Sequence, residues 1–382
     1  MGLLLARGLS PWALIIAVVS MAATAGCGSR SHAPALPKAP AAGIGEAGRN
    51  VIRIGGLSSA DIAAAAALTA YPPGRKTPNG WLFVRSDRWQ EALLAAQFAA
   101  APVSAAILAL NRAFVPAATE DLVSRLRTRN LPRSRGLGAV VLGDVSRDVF
   151  GFLQQHGVQA AQLQAATASS LAAKLVPFRG GFAGAYSSEV VIVSSEDPAY
   201  ALPAAAWSAY SGDTLAYVGR DLVPAATRAL LLQRHKLRLE TPTIYVAGPK
   251  QIVSNAALGE LGRYGRVVRI AGSTPIANAI AFARYRDPQT GFGWGLRQGP
   301  SNISLVNAHD WGDALGALTL AGSGPEAPLL LTSQADALPA ELVRYLQSLR
   351  GRRANQGVVF GSPRSVSSNE LRQFDQLLDA HR

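Results

Sequence analysis

One unit occurs three times along this chain, and that recurrence limits what the chain can fold into. Its clearest marker is Phe114-Val115-Pro116-Ala117-Ala118-Thr119, which returns as Leu222-Val223-Pro224-Ala225-Ala226-Thr227 and, in a weaker form, as Ala337-Leu338-Pro339-Ala340-Glu341-Leu342. A proline at the first helical position suits a helix start, because its missing N–H would have no partner there. Three such starts with the same neighbours on both sides define an internal repeat.

The other elements follow in the same order in each copy. A first strand is read at Val51-Ile52-Arg53-Ile54 and again at Val267-Val268-Arg269-Ile270; the middle copy, from Val158 to Leu163, keeps the position but loses the arginine and the glycines that follow it. The three starts lie 107 and 109 residues apart. Ser273 or Thr274 can cap the helix that Pro275 starts. Second strands lie at 81–84, 190–193 and 303–306, each followed by a helix marked Glu91-Ala92-Leu93, Tyr200-Ala201-Leu202 or Asp313-Ala314-Leu315. Third strands at 106–108, 215–218 and 329–331 precede the Pro-Ala helix. Fourth strands end in Gly143, Gly248 and Gly361, and a Val-Ser pair then opens the last helix. Short apolar strands alternating with amphipathic helices predict a parallel sheet covered on both faces. The predicted fold is therefore α/β: three tandem Rossmann-like units, each a four-stranded, mostly parallel sheet with helices on both faces, packed with pseudo-threefold symmetry. The units are 51–157, 158–266 (with a degenerate start) and 267–382. Each is long enough for its own core, and no room remains for a separate catalytic domain.

Residues 1–26 read as a targeting segment, with Arg7 as its charged region and an apolar stretch from residue 11. It ends Thr24-Ala25-Gly26-Cys27, which resembles the bacterial lipobox, where cleavage precedes a cysteine that then carries lipid. Cys27 is the chain's single cysteine, so there is no intrachain disulfide framework. Two other readings remain open: an ordinary secretory signal, and an uncleaved anchor of barely sufficient length. Residues 27–50, rich in Gly, Ser, Ala and Pro, read as a flexible tether. They contain Gly43-Ile44-Gly45-Glu46-Ala47-Gly48, a formal dinucleotide fingerprint that precedes a strand where it should follow one.

The strand and glycine pattern resembles the cell wall binding repeat of the type 2 family, common in surface proteins of Gram-positive bacteria. Arg53 to Gly56 and Arg269 to Gly272 match that repeat's first element, and Asp313-Ala314-Leu315 its Asp-Ala-Leu helix. Ile107-Leu108 and Pro328-Leu329-Leu330-Leu331 match its Pro-Ile-Leu-Leu strand, and the three glycines with their Val-Ser followers match its end. The family's Asp-Arg-Tyr-x-Thr-Ala core is absent. The resemblance implies three repeats about a pseudo-threefold axis and non-covalent attachment to an anionic wall polymer. It also implies a polymer-anchoring role for the strand residues Ile107, Leu108, Leu329, Leu330 and Leu331.

The net charge is +13, and +12 once Arg7 is removed with the leader. An excess of this size attracts anions. Its most informative part recurs by position, just before each fourth strand: Arg125, Arg127, Arg129, Arg133 and Arg135; then Arg234, His235, Lys236 and Arg238; then Arg350, Arg352 and Arg353. One reading is three equivalent anion-binding edges, since the planar guanidinium grips phosphate or carboxylate with two bonds. The other is structural: cations complement a helix C-terminus and keep the surface soluble. In open parallel sheets ligands favour the opposite edge.

His309-Asp310-Trp311, with Ser304 nearby, evokes a hydrolase triad, but no G-x-S-x-G elbow exists, and helix capping accounts for the same position in all three copies. The five histidines show no metal-ligand spacing, and Trp81, Trp89, Trp207, Trp294 and Trp311 could include sugar-stacking residues, although most sit in strand or helix patterns that suit a core. The sequence thus predicts a non-catalytic, lipid-anchored envelope protein without cofactor or metal. It would face the extracytoplasmic side, with the membrane (through Cys27) and an anionic wall polymer as partners, and without nucleic acid. The alternatives are a lipid-anchored solute-binding protein and, behind it, a wall-associated hydrolase.

Overall fold

The computed structural model describes residues 43–236, 241–298, 301–323, 327–333, 336–351 and 354–379. The leader and Cys27 lie outside these residues. The expected strands are present in three sheets. The first holds β3 (Gly80–Arg85), β4 (Ala105–Leu110), β5 (Ala139–Leu142) and β6 (Ala160–Leu163) in the order β4-β3-β5-β6. The second holds β7 (Val190–Ser194), β8 (Thr214–Val218), β9 (Thr243–Ala247) and β10 (Arg266–Ile270) as β8-β7-β9-β10. The third runs β12-β11-β13-β2-β1, from β11 (Asn302–Asn307), β12 (Leu329–Thr332), β13 (Gln356–Phe360), β2 (Val51–Gly55) and β1 (Gly43–Ala47). Every pairing is parallel except that of β1 with β2.

Sheets and sequence repeats are offset by one strand. The first strand of each repeat completes the sheet of the repeat before it: β6 pairs with β5, β10 with β9, and β2, from the chain's beginning, with β13 near its end. The ring thereby closes. One side chain marks each joint. Arg53 Nη1 donates to Gly361 O (3.0 Å), Arg269 Nη1 to Gly248 O (2.7 Å) and Gln162 Nε2 to Gly143 O (2.9 Å). The middle repeat start, degenerate in sequence, therefore keeps the same bond with an amide in place of a guanidinium. The accepting residues have φ of 130°, 125° and 92°, a left-handed region where glycine carries no Cβ penalty.

Residues 43–47, placed by composition in the tether, form an edge strand instead. Glu46 reaches Arg53 Nη2 (3.3 Å) and accepts from Ser368 Oγ (2.8 Å), while Asp375 accepts from the Arg49 and Asn50 amides. This extra strand explains why β2 is buried whereas its counterparts β6 and β10 are largely half-exposed.

Thirteen helices are seen among the described residues. Those that follow each second strand meet at the centre: α2 (Trp89–Leu94) with α3 (Ala96–Ala99), α7 (Pro198–Ser211), and α11 (Ala314–Gly322), which is preceded by a 3₁₀ turn. They are apolar nearly all round, as fully buried helices must be. A Cβ on Gly322 would fall 2.4 Å from that of Ala99, so close approach requires the glycine. The helix that opens each repeat packs on the central helix of the preceding unit: α1 (Ser59–Ala70) on α11, α6 (Ala168–Ala183) on α2, and α10 (Pro275–Arg284) on α7. Thr274 caps α10, accepting from the Ala277 amide, with Pro275 at its start. The remaining helices are α4 (Ala117–Arg125), α5 (Arg147–Gln155), α8 (Ala225–Lys236), α9 (Asn255–Leu261), α12 (Ala340–Ser348) and α13 (Ser368–Leu378). Trp81, Trp207 and Trp294 are buried, and Trp89 and Trp311 pack half-buried against the core.

Candidate functional site

The basic loops follow α4, α8 and α12. In each copy the marker proline's carbonyl accepts from the amide four residues on: Pro116 O from Glu120 N (2.9 Å), Pro224 O from Arg228 N (3.0 Å) and Pro339 O from Val343 N (3.0 Å). Pro116 and Pro339 have extended ψ and stand at the N-cap, one residue before the first helical position expected from sequence. The marker threonine has its own function. Thr119 Oγ1 donates to Ala109 O (2.9 Å) and Thr227 Oγ1 to Tyr217 O (2.6 Å), satisfying edge-strand carbonyls that no other strand reaches.

Beyond α4 the chain runs irregularly to β5, with positive φ at Asn130, Arg133 and Arg135. Arg125, Arg127, Arg129, Arg133 and Arg135 are all exposed. Arg125 pairs with Asp121 at 2.6 Å, an exposed i,i+4 contact that contributes little. Arg133 lies against the end of α6: a Cβ on Gly184 would fall 0.9 Å from its Nη1, so it faces the negative end of that helix. Arg127, Arg129 and Arg135 have no ion-pair partner among the described residues. Arg127 lines a cleft of about 530 Å³ with Trp81, Thr128, Asn130 and His156, below the N-terminal ends of β3 and β5.

In the second unit the arrangement differs. Arg234 is only 2% exposed and donates through Nη2 to Ser187 O (2.8 Å) and Ser188 O (2.7 Å). Burial pushes its pKa down, and Glu189 and Asp213 offset this. Arg234 thus ties down the turn after α6 and has no surface to offer a polymer. Arg350, in the third unit, donates to Leu377 O (3.2 Å) and Gln376 O (2.7 Å) at the end of α13, serving that helix's unpaired carbonyls. The Lys236 side chain, Arg238, Arg352 and Arg353 lie outside the described residues.

The residues of the implied anchoring strand are core. Ile107, Leu108, Leu329, Leu330 and Leu331 are at most 1% exposed. β4 and β12 are sheet edges, yet neighbouring units cover them. Thr319 Oγ1 of α11 accepts from Ile107 N (3.0 Å) and donates to Ile107 O (3.4 Å), an edge-strand amide and carbonyl answered from another repeat. The position before each second helix is also less uniform than capping predicts. Asp197 accepts from the Ala199 amide, but Arg88 and Asp310, at the equivalent turns, make no side-chain cap. Ser304 Oγ is buried without a hydrogen-bond partner among the described residues, and the His309 amide donates to Asn307 Oδ1. No group of three or more His, Cys, Asp or Glu that could hold a metal is found among the described residues, and no helix there is long and apolar enough to cross a membrane.

The joints Arg53, Gln162 and Arg269 and the stitch at Thr319 escaped sequence reasoning. Arg53 and Arg269 recur by position, but counting from Val158 places Ala160 there; Gln162 takes that register only in its pairing with β5. No family model and no curated protein matches this chain. Among solved structures it is similar to Cwp6 from Clostridium difficile, at 14% identity and a TM-score of 0.70, over 87% of this chain and 48% of that one. It is also similar to Cwp8 from Clostridium difficile, at 18% identity and a TM-score of 0.68, over 87% and 52%. The likeness is one of fold. The chain spans about half the length of either structure.

Proposed function

We propose that this is a non-catalytic envelope protein that holds an anionic cell wall polymer along the basic edge of its α/β units. The observation that carries the reading is the cleft beside Arg127, with Arg129 and Arg135 exposed nearby and none of the three engaged in an ion pair among the described residues. A guanidinium left unpaired at a surface is available to phosphate or carboxylate. The fold supports wall association, since it is shared with two cell wall proteins of C. difficile. The charge of +13 adds a general attraction.

In this reading, lipid on Cys27 tethers the body to the extracytoplasmic face of the membrane, and the basic edge reaches outward to the wall. Weak contacts to a repeating polymer multiply in effect when one body offers several of them. The first unit is the principal contact, because Arg234 of the second and Arg350 of the third are engaged in internal bonds. Sedimentation with purified wall, intact or stripped of its anionic polymers, tests this. Retention on the intact wall alone is expected; equal retention on both, or none on either, would overturn it.

A further inference from the structure

We propose that the crevice at the carboxyl ends of the third sheet binds a neutral, hydroxyl-rich ligand the size of one sugar residue. This inference does not depend on the polymer reading, because it concerns the opposite edge of a different sheet.

The topology places the crevice. In the order β12-β11-β13-β2, the chain leaves β11 for β12 on one side and returns to β13 on the other. The loops after β11 and β13 therefore diverge, and such switch points are where open parallel sheets take ligands. The first two sheets have the same switch point but fill it from within. Arg85, at the end of β3, spans it by donating to Asp87 through Nε (2.9 Å) and Nη2 (2.6 Å) and to Asp144 O, beyond β5, through Nη1 (3.2 Å). In the second sheet Tyr200 crosses to Ser273 O (3.2 Å). The residues aligned with Arg85 and Tyr200 in the third repeat are Asn307 and Asp313, both shorter. A cleft of about 350 Å³ is left there, at the small end of the range for ligand pockets.

Its lining defines the chemistry. Ser59, Ser362 and Ser365 bring hydroxyls, Asp310 and Asp313 carboxyl groups, and Arg364 a guanidinium. Ser365 is 7% exposed, and its hydroxyl lies against the Asp313 carboxyl, which it helps to keep ionised. Asp313, 8% exposed, faces the same space, since a Cβ on Gly361 would lie 2.9 Å from its Oδ2 and 3.0 Å from Ser365 Oγ. Acceptors, donors and groups that are both, set close together, suit vicinal hydroxyls, which donate and accept in turn. Two carboxyl groups disfavour a phosphate. Leu57, 81% exposed at the rim, offers apolar cover for a ring face.

Saturation-transfer NMR on the full chain tests this with two probes: free glucose or N-acetylglucosamine, and a soluble neutral glycan oligomer. We expect transfer to at least one. Asp310→Ala/Arg364→Ala, which changes only exposed side chains, should weaken binding by about tenfold or more, the effect of losing a charged hydrogen bond. Asp313→Tyr, which copies the middle repeat, should close the site, and Arg127→Ala should leave transfer intact. Transfer to the oligomer alone assigns the site to a polymer, whereas transfer to both shows that one residue suffices. No transfer to either probe, or transfer that survives the Asp310→Ala/Arg364→Ala double change, overturns the proposal.

Discussion

The basic loops of the first and second units carry similar charge in the sequence and use it in opposite ways. Around Arg127, Arg129 and Arg135 the guanidinium groups face solvent beside an open cleft. At Arg234 the guanidinium is sealed in and bonded to two carbonyls. The joints show the reverse: Arg53, Gln162 and Arg269 differ in residue type or burial, yet all three make one bond to the glycine that ends a fourth strand. Repetition in this molecule therefore preserves what closes the ring and leaves the surface edge free to diverge. A charge that recurs by position is not thereby a charge with a recurring function.

The sharpest break in that comparison is expected at Arg234. Arg234→Ala would leave the Ser187 and Ser188 carbonyls and the nearby Glu189 and Asp213 without their cation, for a loss of about 3–5 kcal/mol. Arg129→Ala should cost less than about 0.5 kcal/mol. Urea midpoints measure both, and similar shifts would erase the distinction between the two loops.

The joints come next. Arg53→Ala removes a buried charged donor shared between Gly361 O and Glu46, and a cost of about 2–3 kcal/mol is expected. The N-terminal strand should then become the first site of limited proteolysis. Gln162→Ala, the loss of a neutral and more exposed bond, should cost about 1 kcal/mol or less. If the two substitutions had equal effects, the burial supplied by β1 would have no energetic meaning.

Asp313 gives the third unit a pH dependence near neutrality. Burial, with Asp310 beside it, lifts its carboxyl to about 7 from a usual value of 3.8. The folded state thus holds the proton more tightly than the unfolded state. Its contribution to stability is full below about pH 4 and is lost as the pH rises through 7. The ceiling is about 4 kcal/mol, and about 2 kcal/mol is expected once the crevice's access to water is counted. Asp313→Asn should therefore gain in Tm relative to the parent protein between pH 4 and pH 8. A constant difference across that range would contradict the assignment.

The smallest effect belongs to the marker threonines. Thr119→Val and Thr227→Val each remove one hydroxyl bond to an edge carbonyl, for about 1 kcal/mol apiece in thermal melts. The third copy already has Leu342 there, so Leu342→Thr should bring no comparable gain.

Strands and helices were legible because their apolar periods are strong and appear three times. The Pro-Ala helices differ from expectation only by one residue at Pro116 and Pro339, a shift within the usual ambiguity of a helix end. The offset between repeat and sheet was not legible: pairing partners are set by tertiary packing, and β6 would carry the same letters whichever sheet it joined. β1 was hidden because Gly43 to Gly48 has a tether's composition; its pairing with β2 and the Glu46 and Asp375 bonds fix it. The burial of Arg234 was equally silent, since a guanidinium bound to carbonyls and one facing water look alike in a sequence. Ile107 and Leu329 to Leu331, matched to an anchoring strand by resemblance, are buried for the ordinary reason that apolar runs fill a parallel core.

The most direct test of the central claim is the retention of Arg127→Ala/Arg129→Ala/Arg135→Ala on purified, polymer-bearing wall, measured against the parent protein over a range of salt. The account predicts parent binding that weakens with salt, as expected when exposed charges carry the contact, and a triple variant at least about tenfold weaker with an unchanged melting temperature. Parent and variant binding with the same affinity and the same salt dependence would contradict it.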